Sequence, residues 1–337
     1  MISKKYHVYG IGAALVDTEI EVEDHELLEF GIEKGMMTLV DETRQGMLME
    51  HLADHLTVAH LTSGGSAANS IIALSRFGGK AYYSCQVADD ENGQFYLADL
   101  TAAGVEHAGN NALPAGTTGK CLVLITPDAE RTMNTFLGIS ENVGTDNLDL
   151  EALADSHFLY LEGYLVTSPS SRKAAVAARQ HAEQQGTKTA LSLSDPGMVA
   201  HFREGLDEML GSGVDLLFCN RDEASAWTGE TEISAIIDAM KSSAATFAIT
   251  LGAEGALIYD GDRIHTIAPT AVTAIDTNGA GDMFAGAFLY GITHGMNYAA
   301  AGQLASTAAA AVVCHFGPRL RQTEQHQEIL EEVLTSL

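Results

Sequence analysis

Asp276-Thr277-Asn278-Gly279-Ala280-Gly281-Asp282-Met283-Phe284-Ala285-Gly286-Ala287-Phe288-Leu289 sets a run of small residues before an apolar helical pattern that includes Met283, Phe284, Ala287 and Phe288. Gly279-Ala280-Gly281 lets the backbone approach a ligand closely, because glycine carries no Cβ. The first amides of a helix have no partner inside it and point ahead of the N-terminus, which makes a ready anion site. Asp282, in the first turn, puts a carboxylate beside whatever those amides hold. Phosphoryl transfer asks for both features: donors aimed at the oxygens of the migrating group and a base within reach of the attacking hydroxyl. Helix capping, by Asp282 or by Asp276 or Asn278, is the competing reading of the same residues.

A second stretch, Ser63-Gly64-Gly65-Ser66-Ala67-Ala68-Asn69-Ser70-Ile71, opens another helix on a glycine pair, with Asn69 in its first turn. Such a start brings backbone and amide hydrogen bonds to a polyol, or is a plain loop and N-cap. Gly10-Ile11-Gly12-Ala13-Ala14-Leu15-Val16-Asp17 follows a strand, but Leu15 stands where a dinucleotide loop has its third glycine, and more strand follows. NAD binding is therefore discounted. Asp17 is a carboxylate for vicinal hydroxyls or a solvated turn residue. Asn220-Arg221-Asp222-Glu223 is a short oxygen motif suited to hydrated magnesium, and also a common helix start. Thr250-Leu251-Gly252-Ala253-Glu254-Gly255-Ala256 is a turn between strands, open to a nucleotide or simply tight. Arg131 ends a hairpin, where its donor fork meets phosphates or stays exposed. His51 and His55 at i, i+4 lack the carboxylate of a zinc motif, and neither a P-loop nor a G-x-S-x-G elbow occurs.

These segments resemble the signatures of the PfkB family of carbohydrate and nucleoside kinases, the ribokinase-like fold. Residues 276–289 are similar throughout to its C-terminal signature and residues 63–71 to its N-terminal one; Gly-Gly-Ser-x-x-Asn-Ser looks more like adenosine kinases than ribokinases or fructokinases. The resemblance implies Asp282 as general base, with the amides of Gly279, Ala280 and Gly281 as the hole for the γ-phosphoryl group and Arg131 reaching the phosphates. It implies Asp17, Gly64, Gly65, Ser66 and Asn69 as acceptor-binding residues. Asn220, Thr250, Gly252, Gly255 and Asn278 become ATP contacts, and Glu223 and Asn220 the magnesium residues, largely through water. Asp195 joins that network, and His315 falls in the region that lines the adenine pocket. The implied donor is ATP with Mg2+, and K+ is a candidate monovalent cation.

Strand-like and helical stretches alternate along the 337 residues. Strands are expected at 7–11, 81–87, 158–162, 189–194, 216–219, 247–251 and 256–259. Helices are expected at 66–77, 93–103, 170–185, 281–294, 298–314 and from 323. This is the pattern of an α/β protein with a mostly parallel sheet covered on both faces. With the resemblance it implies a ribokinase-like three-layer α/β/α sandwich. Residues 18–22 and 36–40 break the alternation, as do 120–125 and 132–136, which flank the turn-like Pro127-Asp128-Ala129-Glu130. They read as a small antiparallel β lid, formed by 15–40 and 117–138 and inserted in a single domain spanning 1–337. Met133 and Phe136 cover a purine or fill that lid. A sheet extension or dimer interface is the alternative, so a monomer or a homodimer through the lid is expected.

The net charge of −27, from 45 acidic and 18 basic residues, argues against nucleic-acid and anionic-membrane partners. The four cysteines are scattered without zinc spacing, and the start lacks the apolar run of a secretory signal, so a cytoplasmic protein with reduced thiols is expected. The function so read is ATP-dependent phosphorylation of a hydroxymethyl group on a nucleoside, adenosine first, or on a free sugar. A non-catalytic sugar- or nucleoside-binding regulator on the same fold is the reading from another class.

Overall fold

A computed structural model of the chain describes residues 4–52, 55, 60–108, 113–128 and 130–336; residues 1–3 and Ala129 of the hairpin turn lie outside the described residues. The strands are β1 (Tyr6–Ile11), β2 (Leu15–Glu21), β3 (Met37–Leu39), β4 (His60–Gly64), β5 (Ala81–Ser84), β6 (Val105–His107) and β7 (Gly119–Ile125). They continue with β8 (Arg131–Phe136), β9 (Ser156–Glu162), β10 (Lys188–Ser192), β11 (Val214–Asn220), β12 (Ala244–Thr250), β13 (Ala256–Tyr259) and β14 (Ile264–Ile267). The larger sheet has nine strands in the order β14-β13-β12-β11-β10-β9-β1-β5-β6. All its pairings are parallel except the edge pairings of β13 with β12 and with β14.

A parallel sheet buries both faces, so its strands read as nearly continuous apolar runs split by the period of two. Val8, Phe158, Tyr160, Ala190 and Phe218 face one layer, with helices Ser66–Arg76, Ala280–Thr293 and Tyr298–Val312. Tyr9, Ile11, Leu159, Leu161, Leu191 and Leu217 face the other, against Ala174, Ala175, Ala178 and Ala182 of helix Pro169–Gln185. The result is three layers, α/β/α.

The smaller sheet has five strands in the order β3-β8-β7-β2-β4. β7 and β8 form the expected antiparallel hairpin, and β2 pairs antiparallel with β4, but β2–β7 and β3–β8 are parallel. The sheet is thus mixed where the sequence pointed to an antiparallel one. β2 and β7 both enter it from the main body, in register from Leu15 opposite Gly119, and so run the same way. β4 joins from outside residues 15–40 and 117–138; its Ser63-Gly64 end reads in sequence as a lead-in to the next helix. One face of the sheet, with Ile20, Val22, Leu122 and Leu124, packs beneath helices Asp24–Glu29 and Glu42–His51 through Leu27 and Leu48. The other face carries Asp17, Cys121, Arg131 and Met133 toward the main body. No helix among the described residues is long and apolar enough to cross a membrane.

Helix Ala280–Thr293 crosses helix Ser66–Arg76 at Gly286, where an added Cβ would fall 2.3 Å from the Ser70 carbonyl oxygen and 2.7 Å from Ala73 Cβ. The missing side chain sets the spacing of the two helices. Gly286→Ala gains up to ~1 kcal/mol of helix propensity but overpacks this crossing, at about 1–3 kcal/mol. The overpacking should win: thermal unfolding is expected at a lower Tm than in the parent chain.

Candidate active site

A cleft of about 450 Å3 lies where the smaller sheet faces the carboxyl ends of the parallel strands, the usual ligand position in open α/β sheets. Glu162, Ser192, Asn220 and Thr250, the last residues of β9, β10, β11 and β12, all line it. It also gathers Asp17, Gly65, Ser66, Asn69, Arg131, Glu223, Gly252 and Asn278 with Gly279, Ala280, Gly281 and Asp282. Met133 and Asp195 line it as well, whereas Gly64, Gly255 and Phe136 do not. Gly255, at φ 91°, closes the β12–β13 turn where a Cβ would strike the Ile267 carbonyl at 2.1 Å. His315 lies in a second hollow, with Ile275, Phe316 and Arg321.

The helix tip divides its glycines between two tasks. Gly279 is the N-cap at φ 72°, and a Cβ there would fall 2.2 Å from the Pro318 carbonyl. A Cβ at Gly281 would meet nothing within 4 Å, so that glycine leaves the tip open toward the cleft. The Ala280 amide donates back to the Thr277 carbonyl at 3.3 Å, a long bond. Asp282 follows at once. Its Oδ1 accepts from Ser66 Oγ at 2.6 Å and its Oδ2 from Asn69 Nδ2 at 3.0 Å. Burial pushes its carboxyl up, while those two donors and the Arg131 charge pull it down.

Asp17 is buried on β2 beneath Gly64, where a Cβ would fall 2.1 Å from the carboxylate oxygens. Gly64 therefore serves the cleft by making room for Asp17. Burial and then Glu19 push the Asp17 carboxyl up to about 7, opposed by Arg131 and Arg319. Gly65 is left-handed at φ 95° and passes 2.4 Å (as a built Cβ) from the Ala13 carbonyl. Arg131 sits on the cleft face of β8 with Nε 3.4 Å from Asp276 Oδ1 and Nη2 3.4 Å from the Met133 sulfur. Asp276 is fully buried and accepts from the amides of Asn278 (2.8 Å) and Gly317 (2.9 Å).

Sequence reasoning missed Glu162. It is 1 % exposed, and its two oxygens accept from the amides of Ala13 and Ala67, each at 2.7 Å. One carboxylate thus joins the segment leading to Asp17 to the helix that carries Ser66 and Asn69. Burial drives it up to about 7 against those two amides. Within its own stretch, Tyr160-Leu161-Glu162-Gly163, it reads only as the end of a strand. The one local signal is a charged residue closing an otherwise apolar run.

Asn220 and Glu223 form a reciprocal capping box. Asn220 Oδ1 accepts from the Glu223 amide at 2.8 Å, while Glu223 accepts from the Asn220 amide (3.1 Å) and Nδ2 (2.8 Å). Asp195 caps helix Pro196–His201 by accepting from the Gly197 amide at 2.6 Å. Burial, and after it the charges of Asp195, Asp222 and Asp282, push Glu223 up to about 8. No group of three His, Cys, Asp or Glu among the described residues is arranged to hold a metal. This acidic wall with few free oxygens fits magnesium, which keeps most of its water and needs few protein ligands.

The sequence matches the pfkB family carbohydrate kinase pattern over residues 38–325. The chain belongs to that family. It is therefore a phosphotransferase, a sugar or nucleoside kinase that uses ATP. An adenosine kinase from Schizosaccharomyces pombe is 24 % identical over 317 residues, 86 % of this kinase and 89 % of that protein. The crystal structure of adenosine kinase from Sinorhizobium meliloti aligns with a TM-score of 0.91 at 32 % identity, covering 99 % of this kinase and 100 % of that chain. The structure of a probable sugar kinase from Rhizobium etli aligns with a TM-score of 0.91 at 31 % identity, covering 98 % and 99 %.

The raised carboxylates set a pH dependence for the free kinase. Asp17, Glu162 and Glu223 are held above the ordinary carboxylate range of about 4, so the folded state favours their protonated form. The stability they contribute is complete below that range and is lost as pH rises through about 7 to 8. Buried His326, held down to about 4, works in the opposite direction and costs stability as pH falls below about 6.5. Melting curves without ligand are thus expected to show a carboxylate-driven fall of Tm between about pH 4 and 8 that levels off above pH 8. Glu162→Gln turns an amide NH2 toward a backbone donor, so it should melt lower throughout but lose less Tm across that window.

Proposed function

We propose that the chain transfers the γ-phosphoryl group of ATP to the hydroxymethyl group of a nucleoside, adenosine first, with Asp282 as general base. The observation that carries this reading is the Asp282 carboxylate in the first turn of an open helix tip, held by Ser66 and Asn69 at the cleft. Those two donors aim the buried carboxylate and oppose the rise that burial imposes on it. The acceptor hydroxyl lies between Asp282 and the terminal phosphate, and Asp282 takes its proton as the new P–O bond forms and the β,γ-bridge breaks. The amides at Gly279–Gly281, with that of Ala280 released from its long bond to Thr277, and the Arg131 fork stabilise the charge on the migrating group. Asp17 accepts hydrogen bonds from the acceptor's other hydroxyls. Glu223 and Asn220 would hold Mg2+, which would supply charge neutralisation at the phosphates.

A nucleoside is favoured over a free sugar by the apolar wall of Leu15, Met37, Leu39, Met133 and Leu137. These side chains offer a base a surface that a bare pentose or hexose leaves uncovered. The adenosine kinase relatives support the same choice, and the sugar kinase relatives keep the free sugar as the second reading. The faces of the lid support a monomer: one lies beneath its own helices and the other faces the cleft. All four cysteines are free, in keeping with a reducing, cytoplasmic setting.

A panel of nucleosides, ribose and fructose with ATP and Mg2+ tests the acceptor, and adenosine is expected to give the highest kcat/KM. Asp282→Asn should lower kcat by about 10²–10⁴. Full turnover in that variant would remove Asp282 as the base. Retained nucleoside binding with no turnover in the parent chain would favour the binding regulator.

A further inference from the structure

The cleft-facing side of the smaller sheet carries a second carboxylate that the proposed reaction leaves unused. Glu19 lies two residues beyond Asp17 on β2, on the same face, and is 6 % exposed. It sits just behind the cleft, against Gly317, where an added Cβ would meet both of its oxygens at 3.3 Å. Gly317 in turn donates its amide to Asp276 Oδ2 at 2.9 Å, and Asp276 Oδ1 faces Arg131 Nε at 3.4 Å. Burial and then Asp276 push the Glu19 carboxyl up to about 7, while Arg131, the Asn278 amide group and Arg321 oppose the rise. A strand of the smaller sheet is thus joined by charge to the residues directly before Gly279.

This cluster is unfinished as packing. Glu19 Oε1, Arg131 Nε and Asn278 Nδ2 are buried and have no hydrogen-bond partner among the described residues. Buried polar atoms are normally paired, because leaving one unpaired costs its full desolvation. Three such atoms, on residues coupled by charge or through Asp276 and close to the helix tip, mark groups held ready to pair again. Arg131 lies 3.4 Å from Asp276 on the main body, and its charge also reaches Glu19 on the smaller sheet. Among the described residues its Nη2 donates to the Met133 sulfur, at 3.4 Å on the cleft face.

We infer that Glu19 is a positioning residue for the phosphoryl donor, acting through Arg131 and Asn278. The inference rests on the kinase reading above. Glu19 shares the guanidinium with Asp276 and so keeps it from closing into a tight pair there, which leaves its fork free for the donor's phosphates. The same carboxylate faces the amide of Asn278, the residue before the anion site. Without the Glu19 charge, Arg131 settles on Asp276, and the donor must break that pair to recruit it.

The test is a double-mutant cycle in the full chain. Binding of a non-hydrolysable ATP analogue with Mg2+ and of adenosine is measured by calorimetry, beside kcat/KM for ATP. Glu19→Gln is expected to weaken analogue binding and kcat/KM about tenfold, the loss of one charge-assisted contact, with adenosine binding within about twofold. In an Arg131→Ala background Glu19→Gln should add nothing, since its route of action is gone. Glu19→Asp, which keeps the charge one methylene back, should lose less and serves where the glutamine variant does not fold. Unchanged donor affinity in Glu19→Gln, an equal fall in adenosine binding, or additivity with Arg131→Ala would each overturn the assignment. A parent chain that turns over no acceptor sinks the kinase reading itself, and an active parent with an additive cycle sinks only the role of Glu19.

Discussion

Two hydrogen bonds, from Ser66 Oγ and Asn69 Nδ2 to the carboxylate of Asp282, tie together the N-terminal ends of two helices that cross at Gly286. Much else in the molecule serves that tie. The parallel sheet supplies the layer on which both helices rest, and alanines and glycines on their inner faces let them approach. Both helices point their N-terminal ends toward the same place. A carboxylate set there is pulled two ways: burial favours its neutral form, and the two donors favour its charged form. The role proposed for Asp282 draws on that balance, since a general base has to accept a proton readily.

The surroundings of the tie are acidic to an unusual degree for a protein that handles a nucleotide. Asp17, Glu19, Glu162, Glu223 and Asp276 are all buried within or just behind the cleft. The structure spends some of these charges on itself. Glu162 joins two backbone segments, Glu223 closes a capping box, and Asp276 holds the amides of Asn278 and Gly317. Arg319 balances part of the rest by bonding Asp99 at 3.0 Å and the Ser63 carbonyl at 2.7 Å, which fastens β4 beside Asp17. With a net charge of −27, the anion binding proposed for the chain rests on local features: helix amides, a guanidinium and a divalent cation.

By itself the sequence determined the family, the alternation of strands and helices, and the glycines and carboxylate that open the helix tip. These are local properties: a few consecutive residues decide whether glycine permits a left-handed cap, whether a first turn offers amides, and whether a carboxylate follows them. The capping box of Asn220 and Glu223 was legible for the same reason, since its partners stand three apart. Only the tertiary structure decided which groups meet across the chain. Ser66 and Asp282 are 216 positions apart, and Ala13 and Glu162 are 149 apart. No periodicity or spacing encodes such pairings, so Glu162 and Glu19 passed as ordinary strand residues. The mixed pairing of the smaller sheet was hidden likewise, because strand direction is settled by neighbours distant in sequence.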